Sequence, residues 1–369
     1  MNKVCISGYG NTKFSHEDSP IETKLLEATK SLFDQNPNLS QKDIDAVLVS
    51  TNDNTKYLSA VLSELSGIEP KVSHTVESLC NSGTNTIVSA YSYIASGLAD
   101  VALVVGAERY DSPGQILEWD QLRGEYKHPI YWASIFTKSY KREFGVQDED
   151  LAIISAKNHK NAQDNPNAYS KRAYSVEEVL NSKSLTDDLR LLDCSRPCTG
   201  SSAILLTSES VSKQFSSEPI RITGIGQKTV SAGFTKNPNF SSMVSTQEAA
   251  NIAYGMSKMT PNDVDVAEVH DAFTVCEPMA LESMGLSEKG KGTQLTRMLF
   301  ETEDKKINPR GGLIGSGHPL GATGIAQTIE ITQQLQGRAE KRQVQNAKTG
   351  LVHNMSAAAT SSTVLVLES

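Results

Sequence analysis

LSQKDIDAVLVSTND (39–53) and MTPNDVDVAEVHDAF (259–273) align position by position. In each, a hydroxyl residue that can cap a helix precedes a charged turn, an aspartate and then an apolar run suited to a buried strand. A repeat this far apart predicts a chain built from two similar halves. The match extends outward on both sides. VCISGYG (4–10) has the shape of IRITGIG (220–226), and each is followed by a helical pattern, SPIETKLLEATKSLF (19–33) and STQEAANIAYGMSKM (245–259). Further on, LCNSGTNTIVSAYSYIASG (79–97) and GHPLGATGIAQTIEITQQLQG (317–337) each read as a Gly-rich turn opening a helix. Two apolar runs close each half: 101–110 and 201–210 in the first, 350–357 and 361–369 in the second.

Alternating strand and helix signals predict an α/β protein with parallel sheets covered by helices. The expected order is βαβαβαββ, twice, in a layered αβαβα arrangement. The halves are expected at 1–215 and 216–369. Residues 111–195 interrupt the first half with a longer, more charged segment rich in Tyr, Asn and Lys. Two helices are expected within it, in YWASIFTKSYKREFG (131–145) and LAIISAKNHKNAQDN (151–165). An insertion after a strand's C-terminal end is a usual place for a ligand-covering region.

The 369 residues are ample for large cores, and 38% are hydrophobic. No run approaches 18 uninterrupted apolar residues, so no membrane helix is expected. MNKVCISGYG runs almost directly into a strand, without the pattern of a signal or transit segment, and a cytoplasmic protein is predicted. Net charge is −8, which disfavours nucleic acid as a partner. Five cysteines (5, 80, 194, 198, 276) show no CxxC spacing, so neither a disulfide framework nor a zinc knuckle is expected. Cys194 and Cys198 lack a nearby His or Cys to complete a metal site, and no metal is predicted.

Four stretches carry chemistry. In VESLCNSGTNTIVSAY (76–91), Cys80 stands just ahead of a helix whose apolar face is Ile87, Ala90, Tyr91, Ile94, Ala95 and Leu98. Free N–H groups and the helix dipole would stabilise a thiolate there, although a free cysteine is also commonly a small buried hydrophobe. NPRGGLIGSGHPLGATG (308–324) places His318 on a glycine-rich loop, a poor setting for a core residue and a good one for proton exchange near neutral pH. EVHDAF (268–273) sets His270 and Asp271 at a strand end, and LVHNMSAAATSS (351–362) does the same for His353 and Asn354.

Together these stretches resemble the thiolase family over essentially the whole chain. SLCNSG resembles the setting of the thiolase nucleophile, which points to Cys80. GHPLGATG matches the family's histidine loop almost letter for letter. HDAF resembles the sterol-carrier-type and archaeal branch, as does YKREFGVQDEDLAIISAKNHKNAQDNPNAY (140–169). The resemblance implies a layered fold and a reversible Claisen condensation of two acetyl-CoA to acetoacetyl-CoA and CoA, through an acyl-Cys80 intermediate. His318 would activate Cys80, and His318 with His270 would hold the enolate oxygen. The oxyanion would lie against backbone N–H groups of Cys80 and the 354–358 turn.

One departure stands out. Most thiolases carry a second cysteine near the C-terminus, and some sterol-carrier-type members carry it in an HDCF element. Here those positions hold Asn354, with Ser356 at the neighbouring glycine site, and Ala272. Cys276 lies one helical turn beyond Ala272 and is not expected to reach the site. The proton acceptor is left among His318, His270, His353 and a water held by Asn354, with an imidazole favoured. Lys138, Lys141 and Arg142 are candidates for the CoA phosphates. No cofactor is implied, coenzyme A thioester being the substrate. Homodimers or homotetramers are usual in the family, and some relatives pair with a small OB-fold, zinc-binding protein. The alternatives are a sterol-carrier-type enzyme for longer or branched 3-oxoacyl-CoA, an acyltransferase subunit active only in a complex, and a non-catalytic scaffold.

Overall fold

A computed structural model describes residues 2–112, 124–233 and 239–369. The first half runs β1 (Val4–Asn11), α1 (Ile21–Gln35), β2 (Ala46–Ser50), α2 (Leu58–Ser66), β3 (Val72–Val76), α3 (Ser82–Ala95) and β4 (Val101–Glu108). The insertion contributes α4 (Pro129–Phe144), α5 (Asp148–Ala162) and α6 (Val176–Leu180). Then come β5 (Gly200–Ser208) and α7 (Glu209–Phe215). The second half runs β6 (Ile220–Thr229), α8 (Val244–Ser257), β7 (Val266–Glu268), α9 (Cys276–Ser283), α10 (Gly292–Glu301), α11 (Gly312–Ser316), α12 (Leu320–Leu335), β8 (Thr349–Ser356) and β9 (Ser361–Glu368).

The sequence repeat is a repeat of local chemistry. Asp43 Oδ2 accepts from the Ser40 N–H and hydroxyl, both at 2.8 Å. Asp263 Oδ2 does the same for Thr260, at 2.8 and 2.7 Å. Two residues on, Asp45 Oδ2 accepts from the N–H groups of Asp100 and Val101, clamping the start of β4. Asp265 Oδ2 likewise accepts from Lys348 and Thr349 at the start of β8. Each half thus ties its second strand to its last parallel neighbour with one carboxylate.

The strands form one sheet in the order β3-β2-β4-β5-β1-β6-β9-β8-β7, joined across the halves by Cys5↔Arg221 and Ile6↔Ile220. It is mixed, where the alternation of signals predicts parallel sheets. β2 pairs in parallel with β3 and β4, and β7 with β8. The β4–β5, β5–β1, β1–β6, β6–β9 and β9–β8 pairs are antiparallel. The reason is connectivity. No helix long enough for a crossover separates β8 from β9, and a tight turn can join only antiparallel strands. In the second half the counterpart of β3 shrinks to a single parallel bridge, Ala267↔Ile307.

Helices α3 and α12 pack together in the middle of the layers, while α1 and α2 cover the first half and α8 the second. Strands β4, β5 and β8 are buried along their whole length, as covering on both faces demands. Two glycines let the central helices touch near their N-termini. A Cβ on Gly83 would lie 3.0 Å from Gly321 O, and one on Gly324 would lie 2.6 Å from Thr84 N. This backbone contact brings the Cys80 turn and the His318 loop to one place. The apolar face of α3 is buried at Ile87, Ala90, Ile94 and Ala95, but Leu98 is exposed, because the helix ends at Ala95 and Gly97 turns the chain with φ +79°.

Candidate active site

Cys80 sits in a short turn between β3 and α3. Leu79 has φ +50°, a left-handed conformation disfavoured for a branched side chain. Local bonds hold it: Glu77 Oε1 accepts from Leu79 N (2.7 Å), and Leu79 O accepts from the Ser82 hydroxyl (2.6 Å). Cys80 lines a cavity of about 250 Å³. Its thiol is pushed up to about 12, first by burial and then by the carboxylates of Glu108 and Glu77, against its own backbone N–H. The dipole argument from sequence expects a lowered value. Burial wins, and the negative charges of Glu108 and Glu77 act in the same direction.

His318 lies on the same cavity wall. The hydroxyl of Thr323 donates to Pro319 O (2.9 Å), so at 2.8 Å from His318 Nδ1 it accepts, and the ring proton lies on Nδ1. Nε2 has no hydrogen-bond partner, which leaves a lone pair available. Burial, with a contribution from the Arg310 charge, lowers the His318 pKa to about 3. His270 follows the end of β7, and its ring meets that of His318 edge-to-face, centroids 5.1 Å apart at 86°. Burial and the two neighbouring histidines lower its pKa well below the usual range. The Cys80 thiol and one nitrogen of each imidazole all lie within 4.8 Å of one another. One thiol and two neutral imidazoles are also a soft-metal donor set, but a thiol bound to metal is not a free nucleophile.

Two anchors fix the histidines. Asp271 Oδ1 accepts from Leu313 N (2.6 Å), and Oδ2 accepts from Asn158 Nδ2 (2.7 Å), tying the β7 end to the loop that leads to His318. Burial and the Glu277 charge push the Asp271 carboxyl up to about 7. Glu277 is held by Lys157 (2.8 Å), Asn158 and Asn308. On the other side, the buried Glu108 carboxylate accepts from Gly321 N (3.0 Å) at the start of α12 and from Asn52.

Of the remaining sequence candidates, Ser356 lines the cavity, and its hydroxyl donates to Ser78 O (2.6 Å). His353 and Asn354 do not line it. They are neighbours on a strand covered on both faces, so their side chains point opposite ways. His353 Nε2 meets Thr246 of α8 (3.0 Å), and Asn354 Nδ2 donates to Gln327 of α12 (2.6 Å). Met355 near the end of β8, and Ala357 and Ala358 just past it, form the wall, Ala358 with φ +56°. Lys138, Lys141 and Arg142 also lie off the cavity, about 9–15 Å further along α4 than the wall residue Trp132. Lys141 is paired with Asp148.

Two cavity residues stand outside the sequence's catalytic candidates: Arg196, an exposed cation, and Cys194, a second thiol on the wall. Cys194 forms an isolated bridge with Phe273, and Ser195 N donates to Ala272 O (2.8 Å). It therefore lies beside the position where an HDCF element would carry its thiol. Cys276 is fully buried under the apolar core. The local sequence signal for this segment is its Cys-Ser-Arg-Pro-Cys run (194–198), a cation between two thiols.

A thiol and two imidazoles converge at the meeting of two central helices, in a duplicated α/β fold. Residues 4–210 match the family description "Thiolase, N-terminal domain", and residues 226–369 match "Thiolase C-terminal domain-like". The chain belongs to the thiolase family. It is 32% identical over 375 residues to an acetyl-CoA acetyltransferase of Methanothermobacter thermautotrophicus, covering 96% of both chains. It is 32% identical over 383 residues to human sterol carrier protein 2, covering 96% of this chain and 70% of that one. Among solved structures, an "Ltp2-ChsH2(DUF35) aldolase" chain superposes with TM-score 0.88 at 21% identity, covering 100% of this chain and 98% of that one.

Proposed function

We propose that the chain is an acetyl-CoA acetyltransferase-type thiolase acting through acyl-Cys80. The observation that carries this reading is the convergence of the Cys80 thiol and the His270 and His318 ring nitrogens within 4.8 Å. In the first step the Cys80 thiol attacks the thioester carbonyl as its proton passes to the free Nε2 of His318. The tetrahedral oxyanion is held by backbone N–H groups of Cys80 and the 356–358 turn. Collapse expels CoA thiolate, which takes the proton from His318.

In the second step another acyl-CoA loses an α-proton to His270, and its enolate carbon attacks acyl-Cys80; the C–S bond breaks and the expelled Cys80 thiolate takes that proton back from His270. We assign the proton to His270, a neutral ring whose Nδ1 has no partner. His318, neutral again with its proton on Nδ1, presents only a lone pair at Nε2, so we do not assign it to the enolate oxygen. Arg196, rather than the α4 cations, is assigned to a CoA phosphate. No helix is long and apolar enough to cross a membrane, and we carry a cytoplasmic location as part of the proposal. We place the boundary of the halves at 215/216, after the last residue of α7. The free outer edge of β3, whose residues are only partly buried, supports a homo-oligomer.

The test is thiolysis of acetoacetyl-CoA with free CoA by the purified chain. Turnover supports the reading, and a chain with no acyl transfer to Cys80 contradicts it. One observation favours a second reading with longer or branched 3-oxoacyl-CoA. The cavity wall carries Trp132, Leu185, Leu191 and Phe273, more apolar surface than an acetyl group needs. A preference for a long 3-oxoacyl-CoA over acetoacetyl-CoA decides for it. The aldolase neighbour is named as Ltp2 joined to a second protein, ChsH2(DUF35). Activity gained only on adding a small OB-fold, zinc-binding protein assigns this chain to a complex.

A further inference from the structure

A separate chamber of about 40 Å³ shares no wall residue with the substrate cavity. Its wall carries Arg310, Arg342, Glu330, Gln333, Asn11 and Asn165, closed by Phe14 and Ile329. The volume is a few times the minimum that admits one water. Arg310 is 3% exposed. Its Nη1 is buried without a partner, and among the described residues its guanidinium makes neither a hydrogen bond nor an ion pair. The Phe14 ring faces it, at 5.6 Å.

The charges around the chamber do not balance. Glu330 is taken by Arg342, whose Nε lies 3.1 and 3.0 Å from its two oxygens, and by Gln334. Arg342 spends its other donors on Asp164 O and Gln333 Oε1. Glu268 Oε1 accepts from the Arg310 backbone N–H (3.0 Å), and its buried Oε2 has no hydrogen-bond partner, so this carboxyl is not bonded to the guanidinium. The chamber wall carries two arginines and one carboxylate, and an arginine does not neutralise itself by losing a proton. A buried charge needs a partner. Asn11 Oδ1 is also buried and unpartnered, and a flip of that amide turns its N–H₂ group inward.

We propose that this chamber binds one small monovalent anion of halide size, held by the Arg310 guanidinium. The site stands independently of the thiolase reading. A consequence does rest on that reading. Arg310 O is held by Asn165 Nδ2 (3.1 Å) and by the hydroxyl of Ser316 (2.5 Å), which stands two residues before His318. The positive field of Arg310 disfavours a proton on His318. An anion beside Arg310 offsets that field and favours proton transfer from Cys80.

The direct experiment is a crystal of the full chain grown in sodium bromide, with anomalous scattering measured at the bromine edge. A peak within hydrogen-bonding distance of Arg310 Nη1 is the expected result. A chamber that holds water alone, with no anomalous density, overturns the site. In solution, sodium bromide should raise the melting temperature saturably by ~2–4 °C over sodium gluconate at equal ionic strength, and Arg310→Gln should lose that rise. Equal melting in the two salts also overturns it. For the coupling, acyl-enzyme formation should be faster in bromide than in gluconate. Equal rates with the bromide peak present overturn the coupling and leave the site standing. The crystallographic readout needs neither activity nor a variant, so failure of the proposed function cannot be mistaken for failure of the anion site.

Discussion

Thr323→Val keeps the side-chain shape and removes the acceptor that holds the His318 proton on Nδ1. Thr323 is fully buried, so no solvent replaces the lost partner. If the proton stays on Nδ1, it is left unsatisfied. If it moves to Nε2, the lone pair facing Cys80 is consumed. Leaving a buried polar group unpaired costs about 1–3 kcal/mol. With 1.36 kcal/mol per tenfold, acylation should slow about 5- to 150-fold. The assay is single-turnover release of CoA from acetyl-CoA, read with a thiol reagent, alongside nitrogen NMR of the His318 tautomer. Thr323→Ser, which restores the hydroxyl, should recover most of the rate. Acylation as fast as in the unchanged protein, with Nδ1 still protonated in the valine variant, would refute the tautomer argument.

Four further outcomes are expected. His318 and His353, both lowered to about 3 by burial, should show no ring titration by NMR between pH 5 and 8, and a midpoint near 6.5 for either would contradict it. Since the unfolded chain protonates these rings below about 6.5 and the folded chain does not, both histidines lower stability as pH falls from 6.5 toward 3. Gly321→Ala places a Cβ 2.5 Å from Ser50 O and 2.8 Å from Ala107 O; overpacking of about 1–3 kcal/mol should lower the melting temperature and displace the His318 loop, slowing acylation, and a variant neutral in both would contradict the close approach. Asn354→Ala removes the 2.6 Å bond to Gln327 behind the site and should weaken acylation without abolishing it; a loss as complete as that of Cys80→Ala would give Asn354 a direct role.

The repeat between 39–53 and 259–273 is enough to read the duplicated α/β architecture, because the same serine or threonine, aspartate and strand recur in both halves. Strand direction is less legible, since it depends on what lies between β8 and β9 and not on strand composition. At the site, Cys80, His270 and His318 stand on glycine-rich or strand-end segments that announce themselves. His353 and Asn354 look equivalent to them in sequence, yet the pleat of β8 sends one to α8 and the other to α12. Lys138, Lys141 and Arg142 have the right charge, but the rise of α4 carries them away from the cavity. Arg196 and Cys194 reach it through an isolated bridge that no local periodicity encodes. The sign of the Cys80 shift is hidden for a related reason: a helix terminus is visible in sequence, whereas burial beside Glu108 and Glu77 is not.

The most direct measurement is peptide mass spectrometry after a rapid acid quench with acetyl-CoA. The geometry predicts one acetyl group, carried by the sulfur in the peptide that spans Leu79 to Asn81 and absent when that sulfur is removed. An acetyl group on Cys194 or any other side chain, or none at all while CoA is still released, would contradict it.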